Sequence, residues 1–282
     1  MPALFSMANI ERYPTMTTFV SGGLVRANDI RQHYLRFGGK GPQMLIIPGI
    51  TSPAITWAEF ADELGKDYDV YVLDMRGRGL SETGPDLDYS INAMAADTAT
   101  FAKALNLHNY YLLGHSMGGR IAPVAVTRFG ATPDKLMIVD PPITGPGQRG
   151  HGATHEWFTD QIEAGARGDM TVEDMRPYFP RWTDAQLALR VEWIHTCDPR
   201  AIIDFRVDVL EDNFHAELPK LSIPTHLMIG GQSPLITEEE QAELVRLLPA
   251  LECTRIAEAG HMIPWDTPTP FMELCRQFFT RN

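Results

Sequence analysis

Short apolar runs recur along this chain at intervals: MLIIP, VYVLD, YYLLG, KLMIVD, HLMIG and a weaker ECTRIA near the carboxyl end. Between them lie longer segments in which apolar positions fall three and four apart, such as NAMAADTATFAKALN and EEEQAELVRLLPAL. Runs of about five residues, apolar throughout, suit strands buried on both faces, and the spacing of the longer segments suits amphipathic helices. Alternation of the two predicts a mainly parallel sheet covered by helices on both sides. Before the first run, TTFVSGGLVRA and IRQHYLRFG flank Asn28-Asp29 and predict an antiparallel hairpin, since that pair tolerates the left-handed backbone of a tight turn. The expected architecture is α/β with eight strands.

The rhythm stops between about residues 143 and 216. This stretch holds three of the five tryptophans, reads as mostly helical, and is broken at Pro177, Pro180 and Pro199. It predicts a helical lid inserted between two strands. The boundaries expected are an extension over 1–16, a core over 17–142, the lid over 143–216 and the remaining core over 217–282. The basic residues of the lid are all arginines, and most of them are expected to pair with neighbouring Asp and Glu on helix surfaces.

Composition narrows the partners. A formal net charge of −12, without a basic face, argues against nucleic acid or an anionic membrane and for a small molecule. No apolar run approaches the roughly 20 residues that span a bilayer. Three cysteines lie far apart without paired spacing, which suggests neither a disulfide framework nor a zinc site and suits a reducing cytoplasm. The pair His151 and His155 lacks a third ligand, so no metal or cofactor is expected. Oligomeric state is not legible.

Sheets of this kind place their chemistry in loops at the carboxyl ends of strands. Directly after YYLLG comes Gly114-His115-Ser116-Met117-Gly118, a G-x-S-x-G motif between a strand and a helix, where small flanking residues allow a sharp turn that exposes a serine hydroxyl. A serine needs a base. His261, in AGHMIPW after the last strand, is the candidate, whereas the tight turn should aim His115 away from the chemistry. The base needs a carboxylate to fix its tautomer. Asp140 ends KLMIVD, and Pro141-Pro142 should stiffen the loop behind it.

These motifs, with the loop DMRGRGLS at 74–81 and the glycine loop after MLII, resemble the α/β-hydrolase family. In many members the orienting acid follows the next strand along, where this chain has LMIGGQSPLIT and no acid before Glu238. Thr237 with Glu240 there reads as a helix capping box. The resemblance implies an oxyanion hole from the N–H of Met117 and of Ile50 or its neighbour Thr51. The segments PGITSPAITW, VDPPITGPG and EWIHTC are similar to the deformylase-like amidohydrolases that act on ring-opened products of nicotinate breakdown, and imply a serine hydrolase cleaving a C–N amide bond of a small anionic substrate. A related amidohydrolase, a carboxylesterase, a C–C hydrolase or a non-catalytic receptor on the same scaffold are the alternatives. An acidic protein must receive a substrate carboxylate on a local cation; Arg176 is the candidate, with Trp193 and His195 on the pocket wall.

Overall fold

The computed structural model describes residues 16–150 and 154–281. The strands are β1 (Phe19–Ala27), β2 (Ile30–Phe37), β3 (Gln43–Ile47), β4 (Asp69–Leu73), β5 (Tyr111–His115), β6 (Lys135–Val139), β7 (Thr225–Gly230) and β8 (Glu252–Ile256). They form one sheet in the order β1-β2-β4-β3-β5-β6-β7-β8. β2 is antiparallel to β1 and β4, and all other pairs are parallel. Asn28 and Asp29, at φ 51° and 62°, make the hairpin turn expected of them.

Alternation along each central strand builds two cores. On β3, Met44 and Ile46 face one side while Leu45 and Ile47 face the other; on β6, Met137 and Val139 oppose Leu136 and Ile138. Because both faces are covered, a strand of this kind has no polar side to show. The first face is sealed by Phe60 and Leu64 of α1 (Ala58–Leu64). The second packs under Met94 and Phe101 of α2 (Ile91–Ala104) and Ile121 and Val124 of α3 (Met117–Phe129).

Between β6 and β7 the chain leaves the sheet for α4 (His155–Arg167), α5 (Val172–Met175), α6 (Asp184–Trp193), α7 (Pro199–Glu211) and α8 (Phe214–Glu217). The prolines act as anticipated: α5 ends before Pro177, and Pro199 opens α7, where its missing N–H costs nothing. The chain returns through α9 (Glu238–Leu247), capped by Thr237 and Glu240 in a reciprocal box, then α10 (Ile263–Asp266) and α11 (Pro268–Thr280). Phe271 and Phe279 of α11 complete the first core. Among the described residues no helix is long and apolar enough to cross a membrane.

Candidate active site

The turn from β5 into α3 is tight enough to specify its residues. Ser116 has φ 53° and ψ −112°, a region that non-glycine residues seldom occupy. The conformation is held because the N–H of Ser116 donates to Val139 O at 2.9 Å and that of Gly118 to Pro48 O at 3.1 Å. A Cβ on Gly114 would lie 2.2 Å from Gly118 O, and one on Gly118 would lie 2.0 Å from Ile47 O. Both glycines are therefore demanded by close backbone approach. The bond to Pro48 also draws the loop after β3 against the first turn of α3, where the amide of Met117 is among the four that lack an intrahelical partner. Ile50 lines the cavity beside it, and its carbonyl is turned away to accept from Arg78 Nε at 3.1 Å.

His261 joins the other two groups. Its Nε2 is 2.9 Å from Ser116 Oγ and its Nδ1 is 2.8 Å from Asp140 Oδ2. An ionised carboxylate only accepts, so Nδ1 carries the proton and Nε2 accepts from the serine. Asp140 is fully buried at φ 42°, its N–H donating to Met228 O at 2.8 Å. Two further donors hold its oxygens: the N–H of Gly230 reaches Oδ1 at 3.0 Å, and the hydroxyl of Ser233 reaches Oδ2 at 2.6 Å. Ser233 thus stands in the turn after β7 and donates to the acid that comes from β6. Nothing in the sequence had assigned this serine a role.

His115 is buried behind this group, with its ring centroid 5.2 Å from that of His261. Its Nε2–H donates to the carbonyl of His261 at 3.1 Å, while Nδ1 has no partner. Burial, reinforced by the nearby His261 ring, lowers its pKa to about 3, so it is neutral and tethers the loop. Trp265 of α10 clamps the same loop, stacked on Trp182 at 5.0 Å and edge-on to Trp57 at 5.2 Å.

The serine opens on a cavity of about 470 Å³. Trp157, Phe158, Tyr178 and Phe179 give it an aromatic wall, and Arg181, Arg190 and Arg206 also line it. The expectation for Arg176 is corrected: it lies on the outer surface, bonded to Asp184 at 2.7 Å and to Glu173 at 3.4 Å, because acids at close sequence spacing capture it. Trp193 and His195 are also outside the cavity wall, for α6 ends at Trp193 and the following 3-10 turn leaves His195 exposed to solvent. A sequence signal for the inward arginines existed. Arg190 and Arg206 are the helical lid arginines without an acid three or four positions away. His151 lies outside the described residues, and His155 pairs with Glu156 at 3.0 Å. Among the described residues no group of three or more metal-ligating side chains converges.

A strained serine between strand and helix, bonded to a histidine that is bonded to a buried carboxylate, on an eight-stranded sheet of this order, defines a class of hydrolases. Residues 44–274 match the model of the alpha/beta hydrolase family, and the chain belongs to that family and is a hydrolase. It is 49% identical over 251 residues to the N-formylmaleamate deformylase of Pseudomonas putida KT2440, covering 89% of this chain and 93% of the relative. Among solved structures it is similar to the N-formylmaleamic acid deformylase of Pseudomonas putida S16, crystallised with a serine-to-alanine substitution: TM-score 0.85, 43% identity, 90% of this chain and 99% of the other. E-2-(acetamidomethylene)succinate hydrolase shares the fold, with TM-score 0.76 at 19% identity, over 93% of this chain and 100% of the other.

Proposed function

We propose that this hydrolase removes the formyl group from N-formylmaleamate, giving maleamate and formate, with Ser116 as nucleophile, His261 as general base and acid, and Asp140 as the orienting carboxylate. The observation that carries the reading is the continuous chain of contacts Ser116 Oγ, His261 Nε2, His261 Nδ1 and Asp140 Oδ2, at 2.9 and 2.8 Å, opening on a cavity sized for a small molecule. The extensive similarity to two deformylases supplies the substrate class.

Ser116 Oγ attacks the formyl carbon as its proton passes to His261 Nε2, and the resulting imidazolium is stabilised by Asp140. The oxyanion is received by the N–H groups of Met117 and Ile50, each worth about 3 kcal/mol in the transition state. Collapse breaks the bond from formyl carbon to nitrogen, and His261 protonates the departing nitrogen. That leaving group is a primary amide, less basic than an amine, so the step is undemanding. Water, deprotonated by His261, then attacks the formyl ester and releases formate. Residues 143–216 act as the lid over this site, and three cysteines without a disulfide among them support a cytoplasmic setting.

The test is to incubate purified protein with N-formylmaleamate and quantify formate and maleamate together. Wild type should release both in equal amounts, and Ser116→Ala should lose at least about 10⁴-fold in turnover. Undiminished release by that variant would reject the nucleophile, and no release by wild type would reject the substrate.

A further inference from the structure

The cavity holds an arginine whose charge nothing in the fold answers. Arg190 of α6 is only 4% exposed, yet among the described residues no carboxylate pairs with it. Its Nη2 donates to Gln161 Oε1 of α4 at 2.9 Å and to Thr51 Oγ1 at 3.3 Å, and its Nη1 to Thr51 O at 3.4 Å. All three acceptors are neutral, and the two bonds to Thr51 are long. Nε has no acceptor at all. The guanidinium lies 4.8 Å from the centre of the Phe179 ring.

Taking a cation out of water without a counter-charge is costly, and a neutral side chain would bridge α4 and the loop after β3 without that penalty. Two other arginines of the lid are better provided for. Arg181 is exposed and donates to the carbonyl of Glu258 and, at 2.7 Å, to Gln232 Oε1, while Arg176 has two acids. Arg190 also touches Thr51, the residue after Ile50, so it adjoins the loop expected to hold the oxyanion.

We infer that Arg190, set between Gln161 and Thr51, is the subsite that receives the carboxylate of the substrate and selects anionic acyl compounds over neutral ones. This rests on the deformylase reading for the particular substrate, though not for the class. A carboxylate supplies the missing negative charge, satisfies the idle N–H and replaces the long bonds to Thr51; the planar two-point geometry suits it. Arg190 is then a specificity-determining residue that leaves bond cleavage to Ser116 and His261.

The experiment uses p-nitrophenyl acetate, a neutral ester that needs only the serine machinery, as reporter, and measures its competitive inhibition by maleamate. Wild type should be inhibited. Arg190→Met should weaken that inhibition by about 10- to 100-fold, the range of a charge-assisted contact. Since Arg190→Met removes a buried side chain, Gln161→Glu serves as a second variant: it places a carboxylate on Arg190 at no change in shape, and should weaken maleamate to the same degree while preserving the melting temperature. Arg206→Met and Arg181→Met should leave the inhibition within about threefold. An inhibition constant unchanged in Arg190→Met and Gln161→Glu, loss of inhibition in Arg206→Met or Arg181→Met instead, or no inhibition of wild type would overturn the assignment. Inhibition that depends on Arg190 in a protein that releases no formate from N-formylmaleamate would uphold the subsite and reject only the particular substrate.

Discussion

At the scale of single residues, Ser233 carries the most instructive contact. Its hydroxyl donates to Asp140 through a bond of 2.6 Å to the same oxygen that meets His261. Removing it takes away one of the donors that fix that oxygen beside the imidazole. Ser233→Ala should therefore loosen the hold on Asp140 and lower turnover by about tenfold. Asp140→Asn should cost about 10⁴-fold. Undiminished turnover in Ser233→Ala would show that Asp140 does not depend on the serine. This is also the scale at which the sequence was least legible. Asp140 was readable because it ends the strand next along from the serine, where a histidine from the final loop can be reached. Ser233 was not, because a serine in a turn explains itself by local bonding. Arg176 misled because Glu173, three positions back, already offered it an outward partner.

For the elements, α3 offers a contrast between its two ends. Gly118 and Gly130 both belong to its boundary turns, but for different reasons. A methyl group at Gly118 meets the backbone carbonyl of Ile47, which cannot step aside without shifting β3. At Gly130 the left-handed φ of 70° closes the helix in open space. Gly118→Ala should lower stability by about 3 kcal/mol or more, equivalent to roughly 6–12 °C in melting temperature, whereas Gly130→Ala should cost about 1 kcal/mol from backbone strain alone. Equal melting temperatures for the two variants would contradict this account. The strands and α2, α3 and α9 were legible as elements because periodicity and caps agree on them. The lid helices were legible only as a helical segment, since their inward faces are decided by contacts with loops far off in sequence, such as that of Arg190 with Thr51.

Taken as a whole, the molecule carries an acid sensitivity in its core. His115 is neutral in the fold down to about pH 3, and burial also lowers the pKa of His226 and His215. In the unfolded chain these groups take up protons near pH 6.5. Between the folded and unfolded values the unfolded state binds more protons, so stability rises with pH there and is lost as pH falls below about 6.5. His115 alone should account for about 1 kcal/mol between pH 7 and pH 5.5. Urea unfolding at the two values checks this, and a flat result would mean that His115 can be protonated in place. The overall architecture, by contrast, was plain from the chain, because six apolar runs alternating with helical segments leave little choice of sheet.

Asp140, at the end of β6, and Ser233, in the turn after β7, stand one contact apart beside His261. A scan of family members that looks for an acid only behind the seventh strand would file this chain among inert scaffolds. Deciding which homologues are degenerate and which are competent thus requires inspecting both turns, and a hydroxyl at the customary position is a cue to look one strand back.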